Sequence, residues 1–138
     1  MSYDLNVYLS RHNMPTPTEW RTAVFIAGFS VDLHTEFDVE TFTGFLPSPV
    51  SGEMSGFEYY ARPVDAEEAQ ELMLEPGINF TVQFVIGSRP LELVSALATA
   101  SVLASVSGGM LVDPQLGESY SHTNAIEWAR TQIDLARV

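Results

Sequence analysis

Residues 31–41, VDLHTEFDVET, alternate along their whole length between two kinds of side chain. The odd positions carry apolar residues and threonine, and the even positions carry Asp32, His34, Glu36, Asp38 and Glu40. Because successive side chains of a strand point to opposite faces of a sheet, this alternation predicts a strand with one buried, apolar face. The opposite, mostly acidic face must then meet water, a cation or a basic partner.

Similar alternation predicts four further strands, over residues 3–9, 56–62, 79–86 and 110–113. Helical periodicity predicts four helices, over residues 16–28, 64–74, 88–106 and 124–136. The first helix has the clearest start, because Thr16 and Glu19 have the spacing of a capping box. Residues 43–55 are rich in glycine, proline and serine, so we expect a long loop there. That loop would bring residues 56–62 back beside residues 31–41 as a hairpin.

Together these elements predict a single α+β domain over residues 1–138, built as a two-layer sandwich. We expect a mixed or antiparallel sheet of five or six strands, with helices on one face and a polar surface on the other. That polar face would collect side chains from several strands, among them Tyr8, Asp32, His34, Glu36, Asp38, Glu58 and Tyr60. Residues 26–32 also resemble residues 106–113, which indicates either a duplicated strand–helix–strand unit or the frequent use of glycine after helices.

Charge limits the partners of this chain. Eighteen acidic residues face six basic ones, giving a formal net charge of −12, and every basic residue is arginine. The absence of lysine excludes a Schiff-base mechanism and a P-loop lysine. A field this negative repels nucleic acid and anionic lipid, and it attracts cations or basic proteins. Alternatively, the acidity serves solubility alone.

Compartment and membrane association follow from three simpler features. The chain has no cysteine, which excludes disulfides and thiolate chemistry and suits the cytoplasm. Residues 1–13 lack the basic start and apolar core of a signal peptide. No run of about 20 apolar residues occurs, so we expect no membrane-spanning helix, and residues 91–106 are interpreted as a buried helix. We therefore expect a cytoplasmic protein.

Few motifs in the sequence point to chemistry. Asp32, His34 and Glu36 have the spacing and donor types of a divalent metal site, although an ordinary solvated strand face explains the same pattern. Ser55 is not in the G-x-S-x-G context of a hydrolase, and no nucleotide-binding glycine motif occurs, so we expect no cofactor. Asp113, followed by Pro114 and then Gly117, is typical of a turn.

One segment carries a resemblance. Residues 108–117, GGMLVDPQLG, follow an alanine-rich helix. In this the chain resembles, over residues 91–120 and more weakly at residues 55–59, a group of small uncharacterised bacterial α+β proteins. Some of these are similar to immunity proteins, which neutralise the toxins of neighbouring cells. The resemblance implies an inhibitory binding function and carries no catalytic residues.

The sequence thus predicts a non-enzymatic bacterial protein that binds a basic partner protein through an acidic sheet face. Two alternatives remain: a small metal-dependent enzyme or metal-binding domain using Asp32, His34 and Glu36, and a structural module that forms homo-oligomers.

Overall fold

Six strands and four α-helices make up this protein, of which the computed structural model describes residues 3–136. The strands are β1 (Tyr3–Leu9), β2 (Thr43–Pro47), β3 (Gly56–Pro63), β4 (Phe80–Ile86), β5 (Met110–Asp113) and β6 (Glu118–Ser121). The helices are α1 (Pro17–Ile26), α2 (Ala66–Glu71), α3 (Pro90–Ser107) and α4 (Ala125–Ala136), and a short 3-10 turn spans Arg11–Asn13. The strands form one open sheet in the order β2-β3-β4-β1-β5-β6, with every neighbouring pair antiparallel. The predicted α+β class is confirmed.

Helix α3 lies against the sheet, with α1 and α4 packed on it. Its residues 94–104 are all buried, because small side chains let neighbours approach from every side. The Trp20 indole of α1 donates a hydrogen bond to the Thr99 carbonyl at 3.0 Å, joining two helices inside the core. By length and composition α3 is apolar enough to cross a membrane, yet 67% of it is buried within the fold, as in a core helix.

Local signals predicted α1 well. The Thr16 hydroxyl accepts from the Glu19 N–H at 3.1 Å, and the Glu19 carboxylate accepts from the Thr16 N–H at 2.9 Å. This is the capping box that the sequence indicated. The predicted stop is also found, since Gly28 follows the helix with a φ of 89°.

The prediction of a sheet strand over residues 31–41 is wrong. Its burial alternation is nevertheless correct as far as Val39, because the odd positions are buried or half-buried while Asp32, His34, Glu36 and Asp38 are exposed. However, only residues 30–34 run beside another extended segment, residues 47–51, which starts at the last residue of β2 and continues beyond it. Residues 35–41 turn away from the sheet edge, and Phe37 packs against Tyr59 with ring centroids 5.4 Å apart.

Proline explains why this pairing stays incomplete. The backbone N–H of Asp32 donates to the carbonyl oxygen of Pro49 at 2.8 Å, and the backbone N–H of His34 donates to the carbonyl oxygen of Pro47 at 3.0 Å. A regular antiparallel ladder would return one hydrogen bond at each pair, but proline has no N–H to donate. Half of the ladder is therefore missing, and the chain leaves the edge after His34.

The long loop predicted over residues 43–55 is also wrong, because this region forms β2 and a tight hairpin. Val50 and Glu53 exchange both backbone hydrogen bonds at 2.9 Å. Between them Ser51 and Gly52 have φ values of 49° and 81°, the positive values that a two-residue hairpin turn requires. The hairpin partner of β3 is thus β2, not residues 31–41. Strand β6 follows the turn predicted at Asp113–Gly117 and was not itself predicted.

The sheet face away from the helices, which we call the open face, is fixed by the strand registers. Helix-facing positions are the buried alternates such as Leu5, Phe84 and Tyr59. The side chains of the open face are those of Asp4, Asn6, Tyr8, Thr43, Phe45, Pro47, Glu58, Tyr60, Arg62, Thr81, Gln83, Val85, Met110, Val112, Ser119 and Ser121. The proposed duplication stays a prediction, since residues 31–32 follow their glycine outside the sheet whereas residues 110–113 form β5.

Candidate functional site

The part of the open face next to the β2 edge carries an exposed aromatic ring beside a carboxylate. Phe45 of β2 lies opposite Glu58 of β3, and Thr43 lies opposite Tyr60. Phe45 is 51% exposed and Glu58 is exposed. We call the set Phe45, Glu58 and Tyr60 the β2 corner. It joins apolar contact area, a hydroxyl and a negative charge within one pair of strands.

Gly56 holds the Phe45 ring in place. A Cβ built on Gly56 would lie 2.6 Å from the Cζ atom of Phe45 and would also overlap the Leu46 carbonyl oxygen. The ring therefore rests on the glycine backbone, where another side chain would exclude it. An aromatic residue ordered in this way loses little rotamer freedom when a partner covers it.

Tyr60 and Glu58 are also coupled. The Tyr60 hydroxyl donates to Oε2 of Glu58 at 3.3 Å. Loss of hydration and then the Glu58 charge raise the pKa of Tyr60. The phenol therefore stays protonated, and its single O–H is donated to the Glu58 carboxylate on the open face.

The side chain of Asp32, the first acid of the predicted acidic face, points toward helix α1 and not toward the open face. Its Oδ1 accepts from Arg21 Nε of α1 at 2.6 Å and from the Leu33 N–H at 2.8 Å. The Arg21 hydrogen bond holds the pKa of Asp32 below its usual range. Asp32 therefore lies on the helix side of the molecule, and any other cation must displace Arg21 to reach it.

The other polar residues predicted for this face either stabilise a turn or are exposed to solvent. Asp38 accepts from the backbone N–H groups of Glu40 and Thr41 at 2.9 and 3.2 Å, which closes a turn. His34 and Glu36 are exposed. The predicted single face is thus two surfaces, the open face with Glu58 and Tyr60 and an acidic edge segment with His34, Glu36 and Asp38, on either side of β2.

Tyr8 lies on the open face, but it offers little surface. It is only 7% exposed, in the row that also contains Thr81 and Arg62. Arg62 makes a two-point ion pair with Glu68 of α2 at 2.7 and 2.8 Å, which brings α2 beside this end of the face. Burial, and then the Glu68 charge, raise the pKa of Tyr8. Tyr8 is therefore a packing residue at the border of the surface.

The metal alternative finds no support in the geometry. Within residues 3–136, no three histidine, cysteine, aspartate or glutamate side chains come together in an arrangement that holds an ion. The reason at the predicted position is that Asp32 is turned to Arg21 while His34 and Glu36 continue along an irregular segment.

Two other polar groups have structural explanations. The buried Asp113 carboxylate accepts from the N–H groups of Gln115 and Leu116 at 3.1 and 3.2 Å and from the Tyr3 hydroxyl, as a turn residue does. The Ser10 hydroxyl lies 2.9 Å from Nδ1 of His12 on an exposed turn. Neither Ser10 nor His12 lines the two grooves that are described next.

A groove that the sequence did not indicate lies between α1 and the two turns beside it. Its volume is about 730 Å³, and its walls are Thr18, Arg21, Thr22, Phe25, Gly28, Phe29, Ser30, Val31, Asp32, Pro49, Ser51 and Gly52. A smaller depression of about 220 Å³ adjoins it across residues 28–30, toward α4. Phe25, which lines this groove, and the neighbouring Ile26 are 80% and 78% exposed.

Comparison of the chain with protein-family models, with curated protein sequences and with solved structures finds no match.

Proposed function

We propose that this protein is a non-enzymatic binding module that acts in the bacterial cytoplasm as an immunity-like inhibitor. It would bind a basic partner protein at the β2 corner. The observation that carries the proposal is the β2 corner of the open face, where exposed Phe45 lies beside Glu58 and Tyr60. Aromatic residues supply most of the energy in protein interfaces, and charged groups at their rim select the partner.

The chemistry of the β2 corner favours a basic partner. Glu58 lies within the corner, and Glu36 is exposed on the segment beyond the opposite side of β2. The ion pairs of the described residues join Arg11, Arg21 and Arg62 to Glu40, Asp32 and Glu68. None of them involves Glu36 or Glu58, so both carboxylates remain for arginine or lysine side chains of a partner.

Long-range charge adds to this local match. A net charge of −12 on 138 residues produces a field that accelerates the approach of a positively charged protein and repels acidic competitors. Such steering weakens as salt screens it, with a screening length of about 10 Å at 0.1 M ionic strength. Binding of the proposed kind is therefore fast at low salt and loses rate as salt rises.

Site-specific cross-linking tests the proposal. A photoreactive phenylalanine analogue at position 45 should cross-link a basic protein in the native host, or the purified product of the adjacent gene. A matched analogue at Thr131, which is exposed on α4, should not cross-link it. The cross-link at position 45 should fade in high salt and in a Glu58→Gln background. Equal products from both positions, or an acidic partner captured regardless of salt, would refute the proposal.

A further inference from the structure

Helix α2 lies on the open-face side of the sheet, whereas α3 packs on the opposite side with α1 and α4 against it. Arg62 of β3 belongs to the open face, so its side chain leaves the sheet on that side. There its guanidinium meets both carboxylate oxygens of Glu68, at 2.7 and 2.8 Å. The ion pair therefore places the first turn of α2 beside the row of the open face that contains Thr81 and Tyr8.

Burial on the open face is greatest in that row. Thr81 and Tyr8 are 3% and 7% exposed, and they are the only buried side chains of the open face among the described residues. Asn6, two positions before Tyr8 in β1, is only half-buried. Burial raises the pKa of Tyr8, and the Glu68 charge adds to it, so the carboxylate of α2 lies near this ring. The element that covers this end of the open face is therefore α2 with its ion pair.

The cover is weakly attached to the fold. None of the six residues of α2 is buried, and the helix makes no extensive contact with another helix or strand of residues 3–136. A helix this short does not persist in water unless other contacts stabilise it. Those contacts are the N-cap, where Oδ1 of Asp65 accepts from the Glu68 N–H at 2.8 Å, and the partly exposed Arg62–Glu68 ion pair. A segment with so few buried contacts opens without unfolding of the whole protein.

Charge and backbone conformation weaken the closed position further. Residues 65–78 carry five acidic side chains and no basic one. Glu67 and Glu71 are four positions apart on α2, a spacing at which like charges repel each other. Met73, 88% exposed, follows the helix with a φ of 53°, a left-handed conformation that residues other than glycine rarely adopt.

Both ends of this segment are fixed to the sheet. The Val64 N–H donates to the Asn79 carbonyl at 2.8 Å, which extends the β3–β4 ladder to the two points where residues 65–78 begin and end. Val64 is itself buried. Gly77, with a φ of 92°, lies beside this base. Residues 65–78, which we call the α2 lid, can therefore move as a unit about a fixed base.

We propose that the α2 lid opens in the folded protein and uncovers Thr81 and Tyr8, which extends the open face beyond the β2 corner. The Arg62–Glu68 ion pair holds the lid closed. The consequence for binding rests on the proposed function: an arginine or lysine of a basic partner that pairs with Glu68 in place of Arg62 opens the lid. The opening itself needs no partner and is tested without one.

Because the chain has no cysteine, a single thiol can be placed under the lid as a reporter. Thr81→Cys puts it there, and Ser101→Cys puts one in α3, where it is buried in the core. Iodoacetamide is small and uncharged, so its reaction rate in native conditions, followed by mass spectrometry, measures how often each thiol is exposed. We expect position 81 to react about tenfold faster than position 101, or more.

Two charge variants of α2 test whether the ion pair holds the lid. Glu68→Gln removes the pair, and the reaction at position 81 should become about two- to fivefold faster, as for loss of a partly exposed ion pair. Glu67→Gln removes the same charge from an exposed neighbour that takes no part in the ion pairs of residues 3–136. It should leave the rate unchanged or lower it, because it relieves repulsion from Glu71. Neither variant should alter the rate at position 101.

A basic peptide tests whether an external cation opens the lid. Hexa-arginine should accelerate the reaction at position 81, because its guanidinium groups compete with Arg62 for Glu68. Hexa-glutamate should not accelerate it. In the Glu68→Gln background the effect of hexa-arginine should be lost.

The unaltered chain offers a second measurement that needs no substitution under the lid. Tetranitromethane nitrates accessible tyrosine rings, and mass spectrometry locates the products. Tyr8 should be nitrated faster than Tyr59, which is 0% exposed in the core. Glu68→Gln should accelerate the nitration of Tyr8 and leave that of Tyr59 unchanged.

Three results would overturn the proposal. The first is equal reaction at positions 81 and 101 with equal nitration of Tyr8 and Tyr59, which would mean that the row is reached only through global unfolding. The second is an equal effect of Glu68→Gln and Glu67→Gln at position 81. The third is a rate at position 81 that hexa-arginine does not raise. Absence of a cross-linked partner at position 45 bears on the proposed function alone, since no partner protein is present in these measurements.

Discussion

The Ser48 hydroxyl donates a hydrogen bond to the Asp32 carbonyl at 2.6 Å, where the backbone of Pro49 has no N–H to offer. A side chain thus replaces the missing donor of an antiparallel pair. Ser48 itself is fully buried, and its own carbonyl accepts from the Ser95 hydroxyl of α3 at 2.6 Å. This connection joins the acidic edge segment to the hairpin and the hairpin to the central helix.

Removing that hydroxyl should destabilise the fold. Ser48→Ala leaves the Asp32 carbonyl without its donor and should lower the free energy of unfolding by about 1–2 kcal/mol, measured by urea denaturation. Ser30→Ala, an exposed change in the same segment, should stay within about 0.5 kcal/mol of the unaltered chain.

Combining Ser48→Ala with Pro49→Ala tests whether the Ser48 hydroxyl replaces the N–H that proline lacks. Pro49→Ala restores a backbone N–H facing Asp32, so the cost of Ser48→Ala should shrink when Pro49→Ala is present. Pro49→Ala alone should cost up to about 1 kcal/mol through the greater freedom of the unfolded chain. Equal costs of Ser48→Ala in both backgrounds would mean that the Ser48 hydroxyl does not stand in for the N–H that proline lacks.

The same region shows what the sequence could and could not supply. The start of α1 was predictable because Thr16, Pro17 and Glu19 act within one turn of chain. The conformation of residues 31–41 was not predictable, because it depends on which backbone N–H groups a neighbouring segment, 16 residues further along the chain, can donate. Alternation reports which side chains are buried, and it was right for Val31 and Leu33, but it does not report which backbone groups find partners.

The candidate surfaces were predictable only in part. Glu58 and Tyr60 followed from the alternation of β3, and the structure places both on the open face, Glu58 exposed and Tyr60 half-buried. Phe45 lay in a stretch rich in glycine and proline that gave no strand signal. The Phe45 ring lies against Gly56 of the neighbouring strand β3. A contact between two strands cannot be predicted from the residue pattern of β2 alone.

Asp113 should be the most sensitive residue of the β5–β6 turn. Its buried carboxylate accepts two backbone N–H groups and the Tyr3 hydroxyl. Asp113→Ala strands all three donors and should cost about 2–3 kcal/mol in urea denaturation. Tyr3→Phe, which removes one of the three bonds, should cost less than half as much. A loss in Tyr3→Phe as large as that in Asp113→Ala would mean that the turn bonds contribute nothing.

Stability should fall in alkali. Burial and then the Glu118 carboxylate raise the pKa of Tyr120 from 10.0 to about 12, while the ring stacks on Trp128 with centroids 4.4 Å apart. A tyrosine whose pKa is raised by folding contributes stability that is complete below pH 10 and is lost as pH rises toward 12. Thermal midpoints measured across this range should decline, and Tyr120→Phe should make the decline shallower. A midpoint that rises between these pH values would be inconsistent with the raised pKa.

Neutralising single carboxylates should separate the β2 corner from general acidity. Glu58→Gln and Glu127→Gln each remove one negative charge at an exposed position, on β3 and on α4. If a basic partner docks at the β2 corner, Glu58→Gln should slow association roughly two- to fivefold at low salt, because steering depends most on charges nearest the contact. Glu127→Gln should change the rate far less. Stopped-flow or surface-based kinetics with the cross-linked partner, at low and high salt, measure both. Equal slowing by the two variants would mean that the partner responds to total charge and that the β2 corner has no special part in its recognition.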